Sequence, residues 1–375
     1  MRLPKISKPY HLKDYKFMLV ITVMTISILG VMVVGSAKKD VQNKQIVGLV
    51  LGVIVMVILS LIDYVWMLNF YWLMYAANIV LLILPMTPLG ETVNNARRWI
   101  NLGFTNFQPS ELAKLITILF FARFLMEHEE DLNTVRTIVT AVILLAPTLL
   151  LIVSQPDLST TISVALVFCV LMYLGGLSYK FIGTLLAILI PTAVIFISIV
   201  IQPNQPFLKD YQQTRILAWL EPEKYASDEA YQQNNSIMAI GSGQLTGKGL
   251  NNNTTTSVKN GNFILEPQTD FIFAIVGEEL GFVGCCIVIG LLLLIVVQCI
   301  LIGMRAQDTA GRIICCGIAA QIGFQSFINI SVATGIFPNT GIPLPFVSYG
   351  LTSLVSMFMG IGIVLNVGLQ PKKYQ

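Results

Sequence analysis

Long apolar runs constrain this chain more than any other feature. A bilayer core of about 30 Å is crossed by about 20 apolar residues in helix. About ten runs approach that length, at 17–36, 45–62, 66–86, 111–126, 137–154, 159–177, 181–201, 270–302, 313–336 and 351–367. They are apolar all round, as helices facing lipid or other helices are, whereas outer-membrane strands are short and alternate in polarity. The sequence therefore predicts an all-α polytopic membrane protein with about ten transmembrane helices. Residues 1–375 read as one membrane domain, with terminal segments 1–16 and 368–375 and a long loop 202–269 between the seventh and eighth helices. Only 11% of residues are charged and 55% are hydrophobic, against roughly a quarter charged in soluble domains. That excludes a soluble globular enzyme and a disordered tail protein. A net charge of +3 offers no concentrated basic face for nucleic acid. The basic stretch Met1–Lys16 precedes a long apolar run without a small-residue cleavage site, so no cleavable signal peptide is expected.

Loop cations set the orientation. With the N-terminus inside, the inner segments hold twelve Lys and Arg, and the short outer loops hold five: Lys38, Lys39, Lys44, Arg97 and Arg98. Both termini are expected in the cytoplasm and the loop 202–269 outside. The six cysteines all fall inside apolar runs, which suits small buried hydrophobes better than disulfides or zinc ligands. His11 and His128 offer no metal cluster.

Polar residues at membrane depth carry the information in such a chain. Four outer places stand out. In 91–114, ETVNNARRWINLGFTNFQPSELAK, Arg97 and Arg98 are adjacent cations and Trp99 suits the interface. Ser110 is the expected N-cap of a helix, Glu111 favours its positive end, and Lys114 is within reach of Glu111 at i,i+3. An amphipathic interfacial loop explains the same residues without function. Asp157, in SQPD, is expected to cap the sixth helix. In the loop 202–269, the segment GSGQLTGKG misses the Walker A spacing. Its Gln244, Thr246 and Lys248 suit either a phosphate or a plain turn. Asn251–Thr256 reads as a solvated tract. Asp270 stands where that loop meets the eighth run, beside Phe271, Ile272 and Phe273. It reads either as a desolvated base or as an N-cap. Glu278 and Glu279 lie about two turns deeper and must be paired, protonated or hydrated. Lastly, GIFPNTGIPLPFVSYGLTS at 335–353 interrupts apolar sequence with prolines and glycines. It is expected to dip into the bundle and line a cavity, with Ser348 and Tyr349 supplying hydroxyls. No internal repeat and no filter-like motif is visible, which weighs against a repeat-built transporter or a channel.

Together ARRWINLGFTNFQPSELAK, QPDLST, GQLTGKGL, EPQTDFIFAIVGEELGFVG and FPNTGIPLPFVSYG resemble, in order and spacing, the SEDS family of cell-wall proteins (shape, elongation, division and sporulation; the RodA and FtsW type). The resemblance runs from about residue 17 to 371. Leu351 stands where the family usually continues S-Y-G-G, and Asn339 where an apolar residue usually follows Pro338. The resemblance implies a SEDS-type helix bundle in the bacterial cytoplasmic membrane with its site on the outer face. It implies a peptidoglycan glycosyltransferase that polymerises lipid II for elongation, division or sporulation, with a class B penicillin-binding protein as partner. It makes Asp270 catalytic, as base or as holder of a divalent cation (Mg2+ or Mn2+). Arg97, Arg98, Lys114 and Lys248 become the candidates for pyrophosphate, Arg98 and Lys114 foremost, since fixed cations stabilise charge on a leaving phosphate. Trp99, Glu111 and Ser348 also fall on family motif positions. Two other readings compete: a lipid II flippase, which needs a polar path open to both sides, and a non-catalytic scaffold for the transpeptidase.

Overall fold

The computed structural model describes residues 14–93, 96–101, 103, 106–200, 202, 210–221, 223–225, 230–251, 257, 264 and 266–370. Its helices are α1 (Phe17–Ala37), α2 (Lys39–Leu61), α3 (Tyr64–Leu68), α4 (Tyr71–Ile83), α5 (Pro109–Glu127), α6 (Val135–Ser154), α7 (Leu158–Leu174), α8 (Tyr179–Val200), α9 (Asp210–Leu220), α10 (Tyr231–Ser242), α11 (Ile272–Met304), α12 (Thr309–Ala333) and α13 (Leu351–Gly368). Every apolar run coincides with helix, and the run 66–86 is divided between α3 and α4. Among the described residues, six helices are long and apolar enough to cross a membrane: α1, α2, α6, α11, α12 and α13. The stretches Tyr71–Met86 and Leu158–Leu174 are apolar but shorter.

The helices pack α2 on α13, α12 on α11, and α5 on α4, α7 and α12. α1 illustrates why polarity alone hides the buried face. Leu19, Val23, Ile26, Val33 and Val34 are buried, while Ile21, Ile28 and Met32 on the other face are exposed. Lipid is as apolar as a leucine core, so both faces carry the same residue types. Gly30 lets α1 approach the 335–350 segment closely; a Cβ there would lie 2.6 Å from the Phe346 carbonyl. α5 and the start of α11 are surrounded on all sides: Phe271 to Glu279 are all buried.

Two stretches depart from the sequence reading, and the long loop has the internal structure that its length favours. The outer region 90–107 is a three-stranded antiparallel sheet, β1 (Gly90–Val93), β2 (Ala96–Asn101) and β3 (Asn106–Phe107), in the order β1-β2-β3. The dipeptide Asn94-Asn95 between ETV and ARRWIN was the available hairpin signal. The loop 202–269 contains α9 and α10; of the tract Asn251–Thr256 only Asn251 lies among the described residues. The glycine-rich segment after α10 is an ordered dock on α11. α11 kinks at Gly281, whose φ of 66° and ψ of −165° are open essentially to glycine alone. The kink exposes helix backbone that must find partners. Phe282 N donates to Gln244 O (2.8 Å), Val283 N to Leu245 O (3.1 Å), and Lys248 N to Glu278 O (3.0 Å).

Candidate active site

The sheet places its two arginines differently. In β1–β2, Glu91 pairs with Trp99 and Thr92 with Arg97, so Arg98 is the extra residue of a β-bulge. Bulges re-aim side chains next to active sites. Arg97 holds the root of the hairpin through Gly90 O (3.2 Å) and Thr87 O (2.8 Å). Arg98 turns the other way, with its guanidinium 4.4 Å above the Trp99 ring and 3.5 Å from Asp157 Oδ2.

α5 begins where the sheet ends. Its N-cap is Gln108, with Pro109 in the first turn, the position proline favours. Ser110 is therefore not the cap. Its hydroxyl accepts from Gln108 Nε2 at 3.0 Å, and the same amide reaches Asp157 Oδ2 at 3.3 Å. Glu111 sits in the first turn, and the expected i,i+3 pair forms: Lys114 Nζ lies 2.8 Å from Glu111 Oε1, both side chains buried. Lys114 also donates to Gln325 Oε1 on α12 at 3.3 Å. Asp157 caps α7 as expected, accepting from Thr160 N at 3.1 Å, and serves Arg98 as well.

Asp270 enters from the opposite side. The N-cap of α11 is Phe271, without a side-chain cap bond, so Asp270 does not cap. Its carbonyl accepts from Asn329 Nδ2 at 2.8 Å. Facing it is the non-helical stretch 334–350, where a Cβ on Gly341 would lie 3.5 Å from Asp270 Oδ2. Ser348 braces that stretch: its hydroxyl donates to Thr269 O (2.6 Å) and accepts from Leu344 N (2.7 Å).

These parts close around a cavity of about 430 Å³, within the range of small-molecule sites. Its wall includes Arg98, Trp99, Glu111, Lys114, Asp157, Asp270 and Tyr349, together with Lys44 from α2 and Glu266. The 335–353 segment contributes Gly341, Ile342, Pro343 and residues 349–353, as its prolines and glycines led us to expect. Burial pushes the Tyr349 phenol above its ordinary pKa, so it remains a neutral hydroxyl. Of the residues singled out in the sequence, Asp270, Arg98, Trp99, Glu111 and Lys114 come together on this wall. Arg97 anchors the hairpin and Ser348 the backbone behind the wall. Lys248 lies elsewhere, 2.9 Å from the buried Glu278. Lys44, Glu266, Gln325 and Asn329 were missed. Lys44 reads in the sequence only as a loop cation, although it directly precedes an apolar run. Gln325 and Asn329 are amides inside one, the kind of residue that marks function at membrane depth.

Fixed cations, a carboxylate and polar groups on one wall can orient a negatively charged leaving group and accept a proton. A family model described as Cell cycle protein, FTSW_RODA_SPOVE, matches residues 12–373. The chain belongs to this family. FtsW/RodA relatives include the peptidoglycan glycosyltransferase MrdB of Escherichia coli K12, 33% identical over 95% of this chain and 93% of that protein. The probable peptidoglycan glycosyltransferase FtsW of Geobacter sulfurreducens is 31% identical over 96% and 97%. Among solved structures, a chain of a peptidoglycan synthase complex that coordinates polymerization and crosslinking superimposes with a TM-score of 0.78, at 30% identity over 94% of this chain and 97% of that one. The rod-shape-determining protein RodA of Thermus thermophilus gives 0.69 at 27% identity, over 94% and 96%. With these relatives and six long apolar helices among the described residues, the FtsW/RodA protein described here is a multi-pass membrane protein.

Proposed function

We propose that this FtsW/RodA protein is a peptidoglycan glycosyltransferase that polymerises lipid II at the outer face of the bacterial cytoplasmic membrane. The observation that carries the reading is the meeting of Asp270, Arg98 and Lys114 on one cavity wall from three separate parts of the chain. The acceptor sugar's 4-hydroxyl attacks the donor's anomeric carbon, the new glycosidic bond forms with inversion, and undecaprenyl pyrophosphate leaves. Asp270 takes the hydroxyl proton. Arg98 and Lys114 face the pyrophosphate, and Asp157 and Glu111 hold those two cations in place. Trp99 packs under Arg98. Arg97, Lys248 and Ser348 support the fold rather than touch substrate.

Mg2+ or Mn2+ suits this site. Asp270 and Glu266 share the cavity, and Mg2+ binds through one or two carboxylates plus substrate phosphates. Such an ion, when bound, supplies countercharge to the pyrophosphate. Among the described residues no group of three or more His, Cys, Asp or Glu forms a dedicated cage. The structural similarity to a peptidoglycan synthase complex supports a class B penicillin-binding protein as partner. The test is fluorescent lipid II in liposomes holding the protein and its transpeptidase. Glycan chains are expected. Transbilayer movement of lipid II without polymer would replace this reading with a flippase.

A further inference from the structure

Gln325 and Asn329 stand one turn apart on the same face of α12, at 0% and 1% exposure. Together they touch α5, the 335–350 segment and Asp270. Gln325 Oε1 accepts from Lys114 Nζ at 3.3 Å, and Gln325 Nε2 donates to Pro343 O at 3.3 Å. Asn329 Nδ2 donates to Ile342 O at 2.7 Å and to Asp270 O at 2.8 Å. The cation of α5, the backbone opposite Asp270 and Asp270 itself are thus tied to two amides on a single helix. Those amides sit within an apolar helix, where polar side chains are costly unless paired. Packing alone would be met by leucine or alanine.

We propose that Gln325 and Asn329 are positioning residues that fix the separation between the Lys114 ammonium and the Asp270 carboxylate for glycosyl transfer. The proposal rests on the glycosyltransferase reading above. Attack geometry is sensitive to displacements of about 1 Å, which cost about a hundredfold in rate. The predicted defect is therefore in turnover, with substrate affinity little changed.

The test uses the full chain with its transpeptidase and fluorescent lipid II, measuring kcat, KM and melting temperature. Asn329→Asp keeps the shape but replaces an amide that donates to two carbonyls with a carboxyl that can donate to at most one. Turnover should fall about a hundredfold, with KM within about threefold of wild type. Gln325→Met, which loses both contacts, should lose about tenfold or more. Gln325→Glu keeps the acceptor for Lys114 but loses the donor to Pro343 O, so it should fall between Gln325→Met and wild type, about three- to tenfold down. Ile330→Ala, a packing change on the same helix, serves as the control for simple loosening. Full turnover by Asn329→Asp would overturn the proposal. So would an Ile330→Ala enzyme that loses as much turnover at the same melting temperature. A wild-type protein that makes no glycan would overturn the glycosyltransferase reading, and this proposal with it.

Discussion

Removing Lys114 alone should destabilise the protein far more than neutralising Lys114 and Glu111 together. The two side chains are 5% and 3% exposed, with nitrogen and oxygen 2.8 Å apart. Deleting one partner of such a pair leaves an uncompensated buried charge, at a cost of about 3–5 kcal/mol. Glu111 lies in the first turn of α5, where the helix dipole returns about 1 kcal/mol to a lone carboxylate. Lys114→Met should therefore lose about 2–4 kcal/mol. The double variant Glu111→Gln with Lys114→Met buries no charge and should stay within about 1 kcal/mol of wild type, since replacing a buried pair by neutral groups is often neutral. Thermal unfolding in detergent of the four proteins of this double-mutant cycle measures the coupling. Both the single and the double variant should fail to polymerise lipid II, because the cation is gone from each. A Lys114→Met protein as stable as wild type, or a double variant as unstable as Lys114→Met, would refute the reasoning.

Other expectations are as specific. Arg98→Ala should raise the KM for lipid II about ten- to hundredfold, the worth of a charged hydrogen bond, whereas Arg97→Ala should leave KM near wild type; steady-state polymerisation separates the two. Gly281→Ala should cost more than about 1 kcal/mol, because alanine does not adopt that backbone and its Cβ would meet the Gly247 backbone. Unfolding in detergent measures that loss.

What could be read from the sequence was local. The Glu111–Lys114 pair spans three positions of one helix, and Asp157 caps the helix it begins, so spacing alone disclosed both. The apolar runs disclosed the helices because a bilayer imposes length. The sheet escaped notice because its strands are short and polar, and its bulge breaks the alternation that marks a strand. Read as residues alone, Arg97 and Arg98 are only adjacent cations; the family resemblance, not the spacing, puts Arg98 first. Gln325 reaches Lys114 across 211 residues of sequence, and no periodicity encodes that meeting. The glycine-rich segment resembled a free turn because its partner is the backbone of a kinked helix rather than a side-chain pattern. Gly243 and Gly247 let the two backbones approach.

The central claim is that Asp270 accepts the proton in glycan polymerisation, and Asp270→Asn tests it most directly. Lipid II polymerisation by the purified variant with its transpeptidase should fall by about 10²–10⁴, the scale of a lost general base, while the melting temperature and lipid II binding stay at wild-type values. Glycan formation at the wild-type rate by Asp270→Asn would contradict the account.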